Sequence, residues 1–159
     1  MSGAGCPCCG QADHAAPVGA PPPCPGCGGA GERVEWVTPR HTLLAALRPM
    51  ATAARRYAFC PAPACATVYY TDDGRQRFTV DDLIHPVTCK SAAADTPLCY
   101  CFKESKGAVR AELAARGRSG VVARIEERMA ERGCFCEKSN PRGVCCLAEI
   151  DGWLRRPES

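Results

Sequence analysis

The sequence predicts an α+β fold of two small units, a β-hairpin unit followed by a helical hairpin. The first unit is predicted from Asp73-Gly74, a strong hairpin-turn signal, which lies between the β-branched and aromatic runs ATVYYT and RQRFTV. The second is predicted from apolar residues at helical spacing in two successive segments. These residues are Val109 and Leu113, then Val122, Ile125 and Met129. Short cysteine pairs flank both units, so the chemistry of the chain depends on thiols.

Composition narrows the class of protein. Fourteen of the 159 residues are cysteine, as in small disulfide-rich secreted proteins. The opening residues MSGAGCPCCGQADHAAP have no basic region followed by an apolar stretch, so we expect no secretory signal and a cytoplasmic protein. No run approaches the ~18 apolar residues of a membrane span. Clustered thiols in the cytoplasm bind metal or act in redox chemistry. The net charge of +3 argues against a nucleic-acid or membrane-surface partner.

Residues 1–21 and 22–84 differ in amino-acid composition and in their predicted secondary structure. The first range is rich in Gly, Pro and Ala, which predicts a disordered cysteine-containing tail. In the second range RVEWV and YAFC predict further strands, and HTLLAAL predicts a short helix with Thr38 as N-cap and Pro39 at the first position. The expected core is Trp36, Leu43, Leu44, Tyr57, Phe59, Val68, Tyr70, Phe78 and Leu83. Such a core is too small to stabilise ~50 residues without a disulfide or a bound metal ion.

Residues 85–97 have the composition of a linker, and 98–156 are expected to form the helical unit. Gly117 is predicted to end the first helix, Ser119 to cap the second, and Gly133 to end it. A last helix over LAEIDGWLRR is expected to pack against this hairpin through its apolar residues. These are Leu147, Ile150 and Leu154.

The first group of thiols consists of a C-x2-C pair, Cys24 and Cys27, and a C-x4-C pair, Cys60 and Cys65. Two short turns that each present two thiolates are typical of a tetrahedral zinc site. A structural zinc would supply the folding free energy that the small core lacks. A disulfide pair and a rubredoxin-like iron are the alternatives. With four protein ligands such a site has no open position, so catalysis at this metal is not expected.

The second group begins with Cys99 and Cys101, before the helical hairpin, and continues in the stretch GCFCEKSNPRGVCC after it. A helical hairpin brings its two ends together, so thiols from both ends can share one site. Either a second zinc or a [2Fe–2S] cluster suits four such thiolates. The narrow C-x-C pair and the wide loop with Asn-Pro and Gly favour the cluster.

Several motifs occur in a recognisable order, namely CPGC, FCPAPACATVYY, CYC, and a cysteine followed by NPRGVCC. In this order they resemble the N-terminal domain of the CopZ-type metallochaperones over about residues 22–152. The cluster unit also resembles the bacterioferritin-associated ferredoxins. The resemblance implies zinc at Cys24, Cys27, Cys60 and Cys65, and a [2Fe–2S] cluster at Cys99, Cys101, Cys136 and Cys146. The resemblance alone selects Cys136 over Cys134 and Cys146 over Cys145.

The chain also departs from this family. Full-length members append a ferredoxin-like domain with an MxCxxC copper loop, and these 159 residues contain no counterpart. The tail thiols Cys6, Cys8 and Cys9 form a candidate transient site for Cu(I) or another thiophilic ion. Incidental thiols in a disordered tail are the alternative. No nucleophile–base pair, phosphate loop or paired-carboxylate motif is present, so we do not expect an enzyme.

These observations predict a cytoplasmic iron–sulfur and zinc protein of metal homeostasis, similar to a copper metallochaperone and carrying a one-electron redox centre. Its expected partners are copper or another soft metal ion, and a metal-transporting ATPase or a redox partner. Two alternatives remain open. One is a ferredoxin-like electron-transfer or regulatory module without metal delivery, and the other is a structural scaffold with two zinc ions.

Overall fold

The structure, a computed structural model, describes residues 19–157. The first unit is built on an antiparallel sheet. Its strands, in sheet order, are Glu32–Val34 (β1), Tyr57–Phe59 (β2), Thr67–Thr71 (β3) and Arg77–Thr79 (β4). Each strand pairs with its neighbour along the chain. Gly74 adopts a φ of +67° in the turn between β3 and β4, so the hairpin predicted at Asp73-Gly74 is confirmed.

The short helix of this unit, Val37–Thr42 (α1), differs from the prediction. It begins at Val37 instead of following an N-cap at Thr38, and the Thr38 hydroxyl donates to the carbonyl of Glu137, 2.7 Å away. The helix ends early because the chain becomes extended at Leu43, which forms an antiparallel bridge with Leu83. The rest of HTLLAAL is therefore not helical, and a short 3-10 helix follows at Arg48–Met50.

Most of the expected core is buried. Leu43, Tyr57, Phe59, Val68, Tyr70, Phe78 and Leu83 all lie inside. The predictions for Trp36 and Leu44 are wrong, since these side chains are 36% and 43% exposed. Neighbouring side chains of an extended segment point in opposite directions, so burying Leu43 turns Leu44 outward. Strand β3 is buried along its whole length, and Tyr69 also lies inside.

Residues 85–97, predicted as a linker, pack against both units. Val87 joins the core of the first unit, and the Lys106 ammonium of the second unit donates to the carbonyl of Ser91, 2.8 Å away. The Lys90 ammonium donates to the carbonyls of Ala62 and Cys65, at 2.6 and 2.9 Å. This segment therefore supports the loop that carries Cys65.

The second unit combines a two-stranded ribbon with four helices. Its elements are Pro97–Cys99 (β5), Glu104–Ser105 (β6), Lys106–Arg116 (α2), Val121–Arg132 (α3), Cys136–Ser139 (α4) and Leu147–Leu154 (α5). The predicted helices over Val109 and Ile125 are confirmed, and Gly117 and Gly133 end them with φ values of +69° and +70°. The N-cap of α3 is Gly120, not Ser119, whose hydroxyl accepts from the amide of Val121.

The core of the second unit is separate from the first. Its buried members are Leu98, Val109, Val121, Ile125, Ile150 and Trp153, together with three cysteines. Leu147 and Leu154 pack against it, as predicted for the last helix. Outside this core Arg124 of α3 joins Glu104 of β6 to Glu112 of α2, with N–O distances of 3.0 and 2.6 Å. Between residues 19 and 157, no helix has the length and apolar character needed to cross a membrane.

Candidate metal centres

The first pair of thiols lies in a tight turn before β1. The amide of Gly28 donates to the carbonyl of Cys24, and the amide of Cys24 donates to the carbonyl of Gly29, both at 2.8 Å. Gly28 has a φ of +72°, which a side chain would strain. The turn directs the Gly26 amide at the Cys24 sulfur, 3.3 Å away, so the amide donates a hydrogen bond to this thiol.

The second pair lies at the same edge of the sheet. Cys60 directly follows β2, and its amide donates to the carbonyl of Val68 in β3, 2.9 Å away. Cys65 lies two residues before β3 and closes its own turn through Ala62. Because β2 and β3 are neighbours, the sheet itself places these thiols together.

The four sulfurs of Cys24, Cys27, Cys60 and Cys65 all lie within 4.8 Å of one another. Cys24 Sγ is 3.9 Å from Cys65 Sγ, and Cys27 Sγ is 3.7 Å from Cys60 Sγ. Zinc–sulfur bonds of about 2.3 Å in a tetrahedron place sulfurs about 3.8 Å apart. A disulfide requires about 2.05 Å. The arrangement therefore fits a single tetrahedral ion and not a pair of disulfides.

The four thiols of this group differ in pKa and in exposure to solvent. Burial raises the pKa of Cys60 to about 12. Burial acts in the same direction on Cys65, but hydrogen bonds from Thr67, Cys27 and Cys60 together outweigh it and lower the pKa of Cys65 to about 7. Cys24 and Cys60 are buried, whereas Cys27 is exposed. A bound cation would stabilise the thiolate forms, and Cys27 lies at the solvent side of the site.

The second group of predicted ligands meets in the second unit. Cys99 ends β5 and Cys101 lies in the turn that follows, whereas Cys136 begins α4 and Cys146 directly precedes α5. Cys101 Sγ is 3.7 Å from Cys136 Sγ. The thiol of Cys99 interacts with Cys101 and Cys146, and the thiol of Cys136 interacts with the same two. The four thiols thus form a ring.

This ring is more open than the first group. Among residues 19–157, the tetrad of the first unit is the one cysteine group in which every sulfur lies within 4.8 Å of every other. Three members of the ring, Cys99, Cys136 and Cys146, are at most 3% exposed, and Cys101 is half-buried. The apolar core of the second unit encloses the ring and excludes water from three of its thiols.

Hydrogen bonds within the ring shift the pKa values of neighbouring thiols in opposite directions. Bonding to Cys101 and Cys146 raises the pKa of both Cys99 and Cys136. Bonding to Cys136 and Cys99 lowers the pKa of Cys101 to about 2 and of Cys146 to about 4. The amide of Phe135 also donates to Cys101 Sγ at 3.2 Å, and the Ser139 hydroxyl lies 3.0 Å from it. The Phe135 amide therefore favours the thiolate form of Cys101.

Two further cysteines, Cys134 and Cys145, lie beside the ring. Both are half-buried, and Cys145 interacts with Cys136. Phe135 lies between Cys134 and Cys136, and Val144 directly precedes Cys145; their apolar side chains are 61% and 52% exposed. The tail thiols Cys6, Cys8 and Cys9 lie outside the described residues.

Two residues that contact these sites, Lys90 and Ser139, were not predicted from sequence patterns. Lys90 lies in the predicted linker, and its two hydrogen bonds to the Cys65 loop depend on tertiary contacts. Ser139 reaches Cys101 across 38 residues of sequence. A lysine or serine without a local motif is indistinguishable from a surface residue by pattern alone.

The first unit matches a known class of domain. Residues 21–84 match the family zf_CopZ, which is described as a zinc binding domain. The match includes Cys24, Cys27, Cys60 and Cys65, the four thiols that we call the compact tetrad. It supports a CopZ-type zinc-binding domain in this part of the chain.

A solved structure extends the similarity of the fold. The chain is similar to the N-terminal domain of CopZ from Archaeoglobus fulgidus, known from an X-ray structure, with a TM-score of 0.66 and 24% sequence identity. The similar region covers 82% of this chain and 95% of that one. A comparison with curated proteins gave no match. The predicted α+β fold of the CopZ type is thus supported.

Proposed function

We propose that this chain is a zinc- and [2Fe–2S]-binding protein of metal homeostasis that acts in the manner of a copper metallochaperone. The observation that carries the proposal is the presence of two separate groups of four cysteines in one CopZ-like fold. The two groups differ in shape, which argues for two different metal centres.

The compact tetrad is assigned to a structural zinc ion. Its thiols come from the turn before β1 and from the loop between β2 and β3, so one ion joins three strands at one edge of the sheet. Four thiolate ligands fill the coordination sphere of zinc and leave no position for a substrate. The free energy of metal binding then stabilises a unit whose apolar core is small.

The open ring of Cys99, Cys101, Cys136 and Cys146 is assigned to a [2Fe–2S] cluster. A single tetrahedral ion needs all four sulfurs close to one another, whereas a two-iron cluster distributes its four ligands over two metal atoms. The hydrogen bond that the Phe135 amide donates to Cys101 lies where it would stabilise a negatively charged cluster and influence its potential, and the Ser139 hydroxyl lies 3.0 Å from the same sulfur.

When bound, such a cluster supplies one electron at a time, which is the change that converts Cu(II) to Cu(I). Soft thiolates hold Cu(I) in preference to harder ions. Cys6, Cys8 and Cys9 are the proposed transient site for this ion, and a metal-transporting ATPase or a redox protein of the cytoplasm is the proposed partner. We assign no catalytic residue, because the proposed activity is metal binding and electron transfer.

The second candidate is an electron-transfer or regulatory module that carries no metal cargo. The exposed side chains of Phe135 and Val144, next to the second group of thiols, favour it. Apolar residues at such a position are typical of a surface on which a partner docks close to a redox centre.

Metal analysis combined with the visible absorption spectrum of the purified protein tests the assignment. We expect a brown protein that contains zinc, iron and acid-labile sulfide in a ratio of about 1:2:2. A colourless protein with about two zinc ions and no sulfide would instead support the structural two-zinc scaffold.

A titration with Cu(I) separates the chaperone from the electron-transfer module. The wild type is compared with a variant in which Cys6, Cys8 and Cys9 are replaced by serine. We expect the wild type to bind additional Cu(I) that the variant does not bind, with unchanged zinc and iron in both. Equal Cu(I) stoichiometry in the two proteins would favour the module without metal cargo.

A further inference from the structure

The loop between two of the second group of thiols is attached to the first unit. We call residues 137–145, between Cys136 and Cys146, the Asn-Pro loop. The Thr38 hydroxyl of α1 donates to the carbonyl of Glu137, and the Tyr69 hydroxyl of β3 donates to the carbonyl of Pro141, both at 2.7 Å. Thr38 and Tyr69 are almost completely buried, and the hydrogen bond from Tyr69 to Pro141 is shielded from water.

An ion pair adds a third attachment. The Arg142 guanidinium of the Asn-Pro loop forms a bidentate pair with Glu32, with N–O distances of 2.7 and 2.6 Å. Glu32 is the first residue of β1 and pairs with Phe59, which directly precedes Cys60. The ion pair therefore joins the Asn-Pro loop to the edge of the sheet that carries the compact tetrad.

The loop also fits closely against α1. Gly143 has a φ of +72°, and a Cβ atom there would lie 2.8 Å from the Thr38 hydroxyl oxygen. The buried Asn140 holds the loop in shape by accepting from the amide of Arg142 and donating to the carbonyl of Val144. The loop is thus a rigid turn with one side pressed on the first unit.

The other half of the ring is held differently. Cys99 belongs to the β5–β6 ribbon. Tyr100, between Cys99 and Cys101, donates its hydroxyl to the carbonyl of Pro86 and accepts from the amide of Thr88. The two halves of the ring consequently have different supports, and the half that carries the Asn-Pro loop is attached to the first unit.

We propose that occupancy of the compact tetrad controls the second group of thiols through Glu32 and Tyr69, which act as positioning residues for the Asn-Pro loop. Zinc fixes the ends of β1, β2 and β3, and β1 and β3 carry these two residues. The identity of the cofactor in the ring rests on the proposed function, whereas the coupling holds for any thiophilic group bound there. Because coupling between two sites is reciprocal, a filled ring also strengthens retention of zinc.

Two variants test the coupling in the full-length, metal-loaded protein. Tyr69→Phe removes one hydroxyl without changing the shape of the side chain, and Glu32→Gln removes the charge that pairs with Arg142. Asp72→Asn is the matched control, because Asp72 pairs with Arg33 of β1, the strand that also carries Glu32, and does not contact the Asn-Pro loop. For each protein, the zinc content, the rate of iron release to a chelator and the hydrogen exchange of residues 137–145 are measured.

We expect iron release to become about tenfold faster in Tyr69→Phe and in Glu32→Gln, with zinc content unchanged. Amide exchange in the Asn-Pro loop should increase in both variants, while α3 stays protected. The control should match the wild type. Unchanged exchange of the loop in both variants would overturn the proposal.

Selective removal of zinc from the wild type gives an independent readout. We expect faster exchange of residues 137–145 once zinc is removed, and a loop that keeps its protection would overturn the coupling. A wild type that contains no iron or sulfide contradicts the proposed function instead, since the exchange measurement does not depend on which group fills the ring.

Discussion

Cys27 and Cys60 bring their sulfurs to 3.7 Å although 33 positions separate them in the sequence. This distance is that of two ligands on one tetrahedral ion. The sheet places Cys60 beside β3, and the turn before β1 places Cys27 opposite to it. The positions that the fold gives to these two thiols therefore agree with the positions that a tetrahedral metal ion requires.

Removal of the metal from the compact tetrad should unfold the first unit. Zinc binding contributes about 10–16 kcal/mol in small zinc-dependent domains, and this is folding free energy. We expect a chelator, or Cys60→Ser, to abolish the protection of the β2 and β3 amides and to lower Tm strongly. Hydrogen exchange with mass spectrometry measures this by region. A first unit that stays protected after complete loss of zinc would contradict a structural role.

Gly26→Ala should weaken metal binding at the compact tetrad. A Cβ atom at Gly26 would lie 2.4 Å from Thr67 Oγ1 and 3.0 Å from Cys65 Sγ, so the ligand loops must separate. Overpacking of this kind costs about 1–3 kcal/mol, or roughly 5- to 150-fold in zinc affinity. Competition with a chromophoric chelator measures the affinity. Gly29→Ala is the control, because its nearest contact is Cys27 Sγ at 3.4 Å, and it should bind zinc nearly as well as the wild type.

Single serine substitutions should distinguish ligands from their neighbours in the second group. Cys136→Ser and Cys146→Ser remove members of the ring, so we expect loss of iron, sulfide and visible absorption. Cys134→Ser and Cys145→Ser are matched controls one or two positions away, and we expect them to keep the cluster. Iron, sulfide and the spectrum are measured after identical purification. Loss of the cluster in a control, with retention in its neighbour, would exchange the ligand assignment.

Glu149→Gln should stabilise the protein at neutral pH. Burial raises the pKa of Glu149 above its ordinary value of 4.5, in spite of Arg142 at 3.9 Å. Between that value and the folded-state pKa, the folded chain binds more protons than the unfolded chain, so stability falls as the pH rises. Glutamine has no proton to lose. Thermal melts between about pH 5 and 8 should show a Tm advantage of the variant that is smallest at the acid end. A pH-independent difference would show that Glu149 does not titrate in this way.

Local patterns predicted the elements whose interactions are local. The Asp73-Gly74 turn, the helices ended by Gly117 and Gly133, and the strand after Cys65 all have signals within a few residues. Cysteine spacing predicted which thiols meet in the compact tetrad, because adjacent turns and paired strands impose that geometry. The comparisons support the zinc-binding assignment of that unit.

Tertiary contacts account for what the pattern missed. Thr38 has the sequence features of an N-cap, yet its hydroxyl donates to Glu137, 99 residues away. Trp36 and Leu44 are apolar residues in a short β-rich segment, but the bridge between Leu43 and Leu83 turns Leu44 outward. Such pairings depend on the assembled fold, so one sequence without structure offers no signal for them.

The position of Lys90 has a practical consequence for dissecting the molecule. The zinc-domain match ends at residue 84, which invites expression of the first unit on its own up to that point. A fragment cut there would lose Val87 from its core and both hydrogen bonds that Lys90 makes to the Cys65 loop. The autonomous piece, if one is to be made, should extend through Ser91.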